Sequence, residues 1–300
     1  MMASNVRIAS DDFRVGFRLQ KAWGLHMATA FFFGEAGAGL YFVSQFFDFI
    51  TGMSIGLLMV LFGKAGGHFL HLGQPLRGWR ALTRVRTSWV SRGLLAIVVF
   101  VAAGALRILD LKAGFLPGAV SGLAGAVAVL ACLVIMVYQG FAMSHSSAIT
   151  LWSTGLMPIA SLTYALLNGI MLTLVLGFGT PFLADHPDTL RLLQVAAVAL
   201  MLYGLVTVLS MLHGARYGSE AGRQSVGLLL RDRFARWFIP LVIVLGFVVS
   251  ALMMLLAPPD FAWMVAVAGA QLTGYYAFRV LMFKAGTYDS VMSFAHRFKH

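Results

Sequence analysis

Eight stretches of this 300-residue chain are apolar over about the 20 helical residues needed to cross the roughly 30 Å hydrocarbon core of a bilayer. They fall near 22–46, 53–72, 93–109, 118–142, 155–178, 190–213, 238–257 and 262–283. No water reaches backbone N–H and C=O groups in hydrocarbon, so a segment this long must satisfy them internally as a helix. The pattern therefore predicts an all-α integral membrane protein, one transmembrane domain over 1–300, with eight transmembrane helices. Composition agrees: 11% of the residues are charged, against about 25% in soluble domains. The third and seventh segments are the least marked. One is short and begins beside Arg92; the other follows an amphipathic run, SVGLLLRDRFARWF, that its pattern lays along the membrane interface.

An even number of crossings puts both termini on one side. That side receives Arg7, Arg14, Arg18 and Lys21, then Arg77, Arg80, Arg84, Arg86 and Arg92, then Arg216, Arg223, Arg231, Arg233 and Arg236, then Lys284, Arg297 and Lys299. The opposite side has Arg107, Lys112 and Arg191. The positive-inside rule then predicts cytoplasmic termini. It also accounts for the net charge of +11 without nucleic acid. The single cysteine, Cys132, lies in an apolar run, which excludes disulfides, iron–sulfur ligation and thiolate metal sites within one chain. The polar N-terminus holds no apolar core of a signal peptide ahead of the first span.

Glycine-rich patches such as GEAGAG at 34–39 and GKAGG at 63–67 fit close helix–helix approach. The ends of helices two and six, LHLG at 70–73 and MLHG at 211–214, echo each other four helices apart, which suggests two packed four-helix groups.

Ionisable groups within hydrocarbon cost about 2.5–3.5 kcal/mol each on insertion scales, so they face the bundle interior and mark a functional path. At 1.5 Å per residue, Glu35 lies roughly 20 Å from the terminal side and Lys64, on the returning helix, about 12 Å. A structural ion pair between them and a role in proton handling are both open, and compatible. Five histidines gather near one face: His26 a turn into helix one, His68 and His71 at the end of helix two, His145 after helix four and His213 closing helix six. Each alone is an ordinary interfacial side chain; together they supply groups that titrate near neutral pH, as proton-coupled redox chemistry requires. Beyond His71, Gly73 and Pro75 end the helix. The loop then carries Arg77, Arg80, Arg84 and Arg86, with Leu76, Trp79, Leu82 and Val85 repeating every three residues, a short amphipathic helix on the membrane surface.

The string HLGQPLRGWRALTRVRTSWVSR over 71–92 resembles the signature of the dimethyl sulfoxide reductase membrane anchor, DmsC, within the broader NrfD-type quinone-binding anchors. The matching residues are His71, Leu72, Gly73, Pro75, Leu76 and Arg77, followed by Ser88 and Ser91 at the start of helix three. Trp23 before a Gly-rich first helix and Trp152 before helix five fit as well. The resemblance implies an NrfD-like, heme-free membrane anchor that exchanges electrons between membrane quinone or quinol (menaquinone or ubiquinone) and a ferredoxin-like iron–sulfur partner. A molybdenum or tungsten bis-pterin partner, which holds the molybdopterin, then carries the substrate chemistry. It also implies the bacterial inner membrane, and it carries the family's functional histidine and arginine onto His71 and Arg77.

Departures from the family pattern accompany the match. The acid expected near the start of helix three is Gly93, and an acid and arginine of the last helix stand as Gln271 and Tyr275. Glu35 is the candidate replacement for the missing carboxylate. The family is generally drawn with periplasmic termini, opposite to the charge count. The resulting quinone-binding set is His71, Arg77, His68, His26, Lys64 and Glu35, with Arg80, Arg84 and Arg86 as a partner-docking surface and no metal site. Oxidising a quinol needs a base at its hydroxyl, assigned to His71, and positive charge at its oxygen, assigned to Arg77 and Lys64. Two other readings remain: a diheme cytochrome b anchor using His26 and His68, and a proton-conducting transporter using Glu35 and Lys64.

Overall fold

The computed structural model describes residues 17–71, 75–256 and 260–289, with the side chains of residues 69–71 and 75–78 outside that description. Helix α1 is Leu25–Gln45. Helix α2 runs from Ile50 through a π-helical segment, Met59–Lys64, to His71. Then come α3 (Trp89–Ala113), α4 (Gly118–Ser144), α5 (Leu156–Gly177), α6 (Pro187–Gly218), α7 (Ala235–Leu256, with a π-helical stretch Phe238–Val249) and α8 (Phe261–Lys284). Six of these, α2 to α7, are long and apolar enough to cross a membrane. The other two, α1 and α8, have 21 and 24 residues and carry more polar groups: His26 and Glu35 in one, Gln271, Tyr275, Tyr276 and Arg279 in the other.

Helix ends explain where the sequence boundaries move. The third helix, expected from residue 93, begins at Trp89, because the Ser88 hydroxyl accepts the Ser91 amide at 3.4 Å as an N-cap. Arg92 does not stop it. Its guanidinium folds back to the carbonyls of Val85 (3.1 Å) and Arg86 (2.9 Å) and stacks on the Trp89 ring. The amphipathic run before α7 divides into the end of a helix, Glu220–Leu230, a turn and the start of α7; Ser225, Val226 and Leu229 are buried against the bundle, and Arg231, Asp232, Arg233 and Arg236 are exposed. The loop after α2 forms a 3₁₀ helix, Pro75–Arg84. Its apolar spacing of three is the period of that helix, at about 3.0 residues per turn, rather than of an α-helix. Gly73, the expected cap of α2, lies outside the described residues.

Packing places α1 at the centre. It buries 14 of its 21 residues and touches α2, α4, α5 and α8. One apolar cluster gathers α5 to α8 with the start of α1, and a second joins α1 to α4 with Ala165 of α5. Between the clusters α1 meets α5 backbone to backbone. A Cβ on Gly39 would strike the Ala165 carbonyl, and one on Gly169 would strike the Gly39 backbone. The segments before α1 and after α8 meet at one end of the bundle in a two-stranded antiparallel ladder that pairs Arg18 with Tyr288 and Leu19 with Thr287. Gln20 continues it, its amide bonding to the Gly286 carbonyl at 2.8 Å. Trp23 stacks on Trp152 at 5.4 Å, and the Trp152 indole donates to the Met282 carbonyl at 2.9 Å. The two tryptophans thus clasp the start of α1, the loop before α5 and the end of α8.

A buried ionic cluster beneath the histidine-bearing end

Glu35 sits midway along α1, fully buried, and its partner is Arg279 of α8 rather than Lys64. One guanidinium nitrogen, Nη2, donates to Glu35 Oε1 at 2.5 Å and Oε2 at 2.6 Å, and to Ser161 Oγ at 2.7 Å. Nε donates to the Tyr275 hydroxyl at 3.0 Å, and Nη1 to the Met143 sulfur at 3.6 Å. The rings of Phe31, Tyr275 and Phe278 surround the same cation at 5.5–5.7 Å. Helix rise alone puts the Glu35 backbone about 15 Å below the terminal end and that of Arg279 only about 7 Å below it. Side chains tilt toward their own helix N-terminus. That tilt carries Glu35 upward and Arg279 and Lys64 downward, so all three converge at one level. Arg279, a residue inside the last span, is the member of the site that backbone depths fail to select.

Lys64 closes the π-helical segment of α2, where the Ala65 amide reaches back five residues to the Val60 carbonyl. Such a segment re-phases the helix, and π-bulges recur at functional sites. The ammonium is fully buried and has no hydrogen-bond partner among the described residues. It lies over the Tyr138 ring at 4.8 Å and the Phe31 ring at 5.4 Å. Phe31 is therefore shared by two cations, with Lys64 Nζ at 5.4 Å and the Arg279 guanidinium at 5.7 Å from its ring centroid. The Lys64 side chain crosses Gly34, where a Cβ would come within 2.6 Å of Cδ and 2.7 Å of Nζ, so the glycine beside Glu35 makes room for it.

Tyr138 also answers the missing acid. A side chain at Gly93 would run into the Tyr138 ring, so the space that a carboxylate at 93 would fill is taken by an aromatic face over Lys64. The last helix does carry an arginine, one turn beyond Tyr275, and it meets a carboxylate supplied by α1.

Of the other expected site residues, His68 is half-buried, its ring 6.4 Å from Phe31 and so beside the cluster. His26, His145 and His213 are exposed; they share an end of the bundle but not the cluster, and His213 lies against Tyr217. The side chains of His71 and Arg77 lie outside the described residues. Arg80, Arg84 and Arg86 are exposed alongside Trp79 and Leu82, as a docking or membrane-facing surface requires. Among the described residues, no group of three or more His, Cys, Asp or Glu side chains is placed to hold a metal ion.

A quinone presents a flat ring with a carbonyl oxygen at each end. An unpartnered buried ammonium flanked by two aromatic faces, with an imidazole one turn nearer the surface, fits that chemistry.

The family described as the DMSO reductase anchor subunit, DmsC, matches residues 39–273. A sulfite dehydrogenase subunit of Allochromatium vinosum is 36% identical over 69 residues, which make up 21% of this chain and 21% of that protein. The family match runs from α1 into α8 and takes in α2 to α7 whole, and on that ground this chain belongs to the DMSO reductase anchor subunit family.

Proposed function

We propose that the chain is the quinone-reactive membrane anchor of a molybdenum or tungsten bis-pterin oxidoreductase, and that it passes electrons between membrane quinol and a ferredoxin-like iron–sulfur partner. The family match supports the anchor role. The observation that carries the quinone assignment is the buried, unpartnered Lys64 ammonium between Phe31 and Tyr138, one turn below His68. All eight long helices cross the bacterial inner membrane in this reading, in two four-helix groups around α1 and α5, with cytoplasmic termini.

When bound, quinol supplies two electrons and two protons. His71 accepts a proton from its hydroxyl, with His68 and His26 as further acceptors. Lys64 and Arg77 hold positive charge against the quinone oxygen as charge develops there, where low dielectric makes such charge effective. Glu35 takes a proton inward while Arg279 keeps Ser161, Tyr275 and Met143 as partners. Arg80, Arg84 and Arg86 dock the iron–sulfur partner. The molybdopterin and the iron–sulfur clusters belong to partner proteins, and the anchor holds no heme, so a reduced-minus-oxidised visible spectrum of the purified chain shows no b-type bands. In the purified complex, His71→Ala abolishes quinol-dependent reduction and spares activity with an artificial soluble donor. Equal loss of both activities overturns the assignment.

A further inference from the structure

The seam between α5 and α8 continues below the ionic cluster as a series of polar rungs. The helices are antiparallel, and the contacts fix their register. Arg279 bonds Ser161 at 2.7 Å, and Tyr275 stacks on Tyr164 with ring centroids 4.4 Å apart. One turn further, α8 presents Gln271 and α5 presents Asn168. Both are fully buried, and neither amide nitrogen nor oxygen of either has a hydrogen-bond partner among the described residues; nor does the Tyr164 hydroxyl. Toward the opposite end the polar groups pass from the α5–α8 seam to the contact of α5 with α1, where Thr173 and Ser44, also buried, bond each other at 3.4 Å one residue from the end of α1.

A buried amide left unpaired costs about 1–3 kcal/mol, and two at the same level of a membrane helix pair are not explained by packing. Sites that place several polar atoms together hold ordered water, each water taking two to four such partners. We propose that this seam is a proton path connecting Glu35 to the membrane face opposite the termini. Asn168, Gln271 and Tyr164 hold the water file, and Glu35 is the titratable group at its inner end. The inference rests on the quinone reading. Oxidation of one quinol then sends two electrons to the iron–sulfur partner at the terminal end, while protons received by Glu35 leave through the seam. Each water in the file accepts one proton and releases another, so nothing is consumed. Electron and proton exit on opposite faces, which separates charge across the membrane.

The test uses the whole complex in proteoliposomes, with a pH-sensitive dye reporting the side opposite the termini and electron flow followed separately by acceptor reduction. In the unaltered complex, quinol oxidation delivers protons to that side. Asn168→Leu with Gln271→Leu lowers the protons delivered per electron at least threefold, with electron flow in the presence of an uncoupler reduced less than the proton yield. Asn168→Ser with Gln271→Ser, which keeps polar groups for water, restores the yield and controls for misfolding. An unchanged proton-to-electron ratio in the leucine variant overturns the path while leaving the quinone reading intact. Absence of quinol-dependent electron flow in the unaltered complex overturns both.

Discussion

The Glu35–Arg279 pair gives the most direct measure of how this bundle is held together. Arg279→Met removes the group that, among the described residues, donates to both oxygens of Glu35, in a setting where both side chains are fully buried. Removing one partner of such a pair costs about 3–5 kcal/mol, because a charge is left uncompensated, whereas replacing both partners with apolar residues is often near neutral. Lys64 remains close enough to soften the loss, so the lower part of that range applies. Arg279→Met therefore destabilises by about 3 kcal/mol, roughly a hundredfold in the folded population. Glu35→Leu costs less, because Arg279 retains Ser161, Tyr275, Met143 and three aromatic faces. The double variant Glu35→Leu/Arg279→Met recovers much of the single arginine loss. Unfolding of the purified protein by titrated SDS in mixed micelles, read by tryptophan fluorescence, gives the three free energies and their coupling. Losses that simply add, with no coupling between the positions, would refute the claim that the pair is what satisfies these charges.

Three other perturbations follow from the packing. Gly39→Ala drives a Cβ into the Ala165 carbonyl and lowers stability by about 1–3 kcal/mol, whereas Gly122→Ala, at a helical glycine with nothing within 4 Å, is neutral or stabilising; equal effects in the same SDS titration refute the backbone contact. Gly93→Asp, which places an acid where the family has one, collides with the Tyr138 ring and slows quinol turnover severalfold, and adding Tyr138→Ala restores part of it; a single variant with normal turnover shows that the ring is not in the way. Asp289→Ala removes the carboxylate that accepts from Thr150 (Oγ1, 2.5 Å) and Ser219 (2.5 Å), costing about 1–3 kcal/mol locally, so amides around residues 145–155 and 219–230 exchange hydrogen faster; unchanged exchange there removes the claim.

What the sequence discloses and what it hides follow from different physics. Six spans are legible because hydrocarbon demands long apolar helices, and α2 to α7 supply them. The first and last helices are less apolar for a structural reason: α1 is enclosed by neighbours and the polar face of α8 meets it, so both can carry charge that lipid would reject. Glu35 and Lys64 are visible as anomalies of composition. Their geometry is not, since the π-helical turn at Met59–Lys64 breaks the 3.6-residue phase by which a helix face is read from sequence. Arg279 is visible too, as a charge within a span. Comparing backbone depths without the length and tilt of the side chains passes it over, because the same tilt that lifts Glu35 lowers Arg279.

The charges at this level do not cancel among themselves, and that is the strongest reason to regard the cluster as a site rather than a staple. A structural ion pair needs one carboxylate and one guanidinium, and Glu35 with Arg279 completes it, down to Ser161 and Tyr275 on the guanidinium nitrogens. Lys64 is then surplus. Insertion of a lysine at helix centre costs about 2.5–3.5 kcal/mol, and a methionine in its place would fill the same volume against Phe31, Tyr138 and Gly34 without that cost. The two rings offset part of the cost, since a desolvated cation–π contact contributes about 2 kcal/mol, but among the described residues nothing accepts from the three donors of the ammonium. A hydrogen-bond acceptor arriving from the histidine-bearing end would use them. An oxygen that gains negative charge during reaction would use them more strongly than a neutral one, which is the asymmetry that favours a transition state over a ground state. Lys64→Met should therefore leave folding unchanged or improve it while lowering quinol turnover, and Lys64→Arg, which replaces a compact point charge with a planar fork, should not substitute.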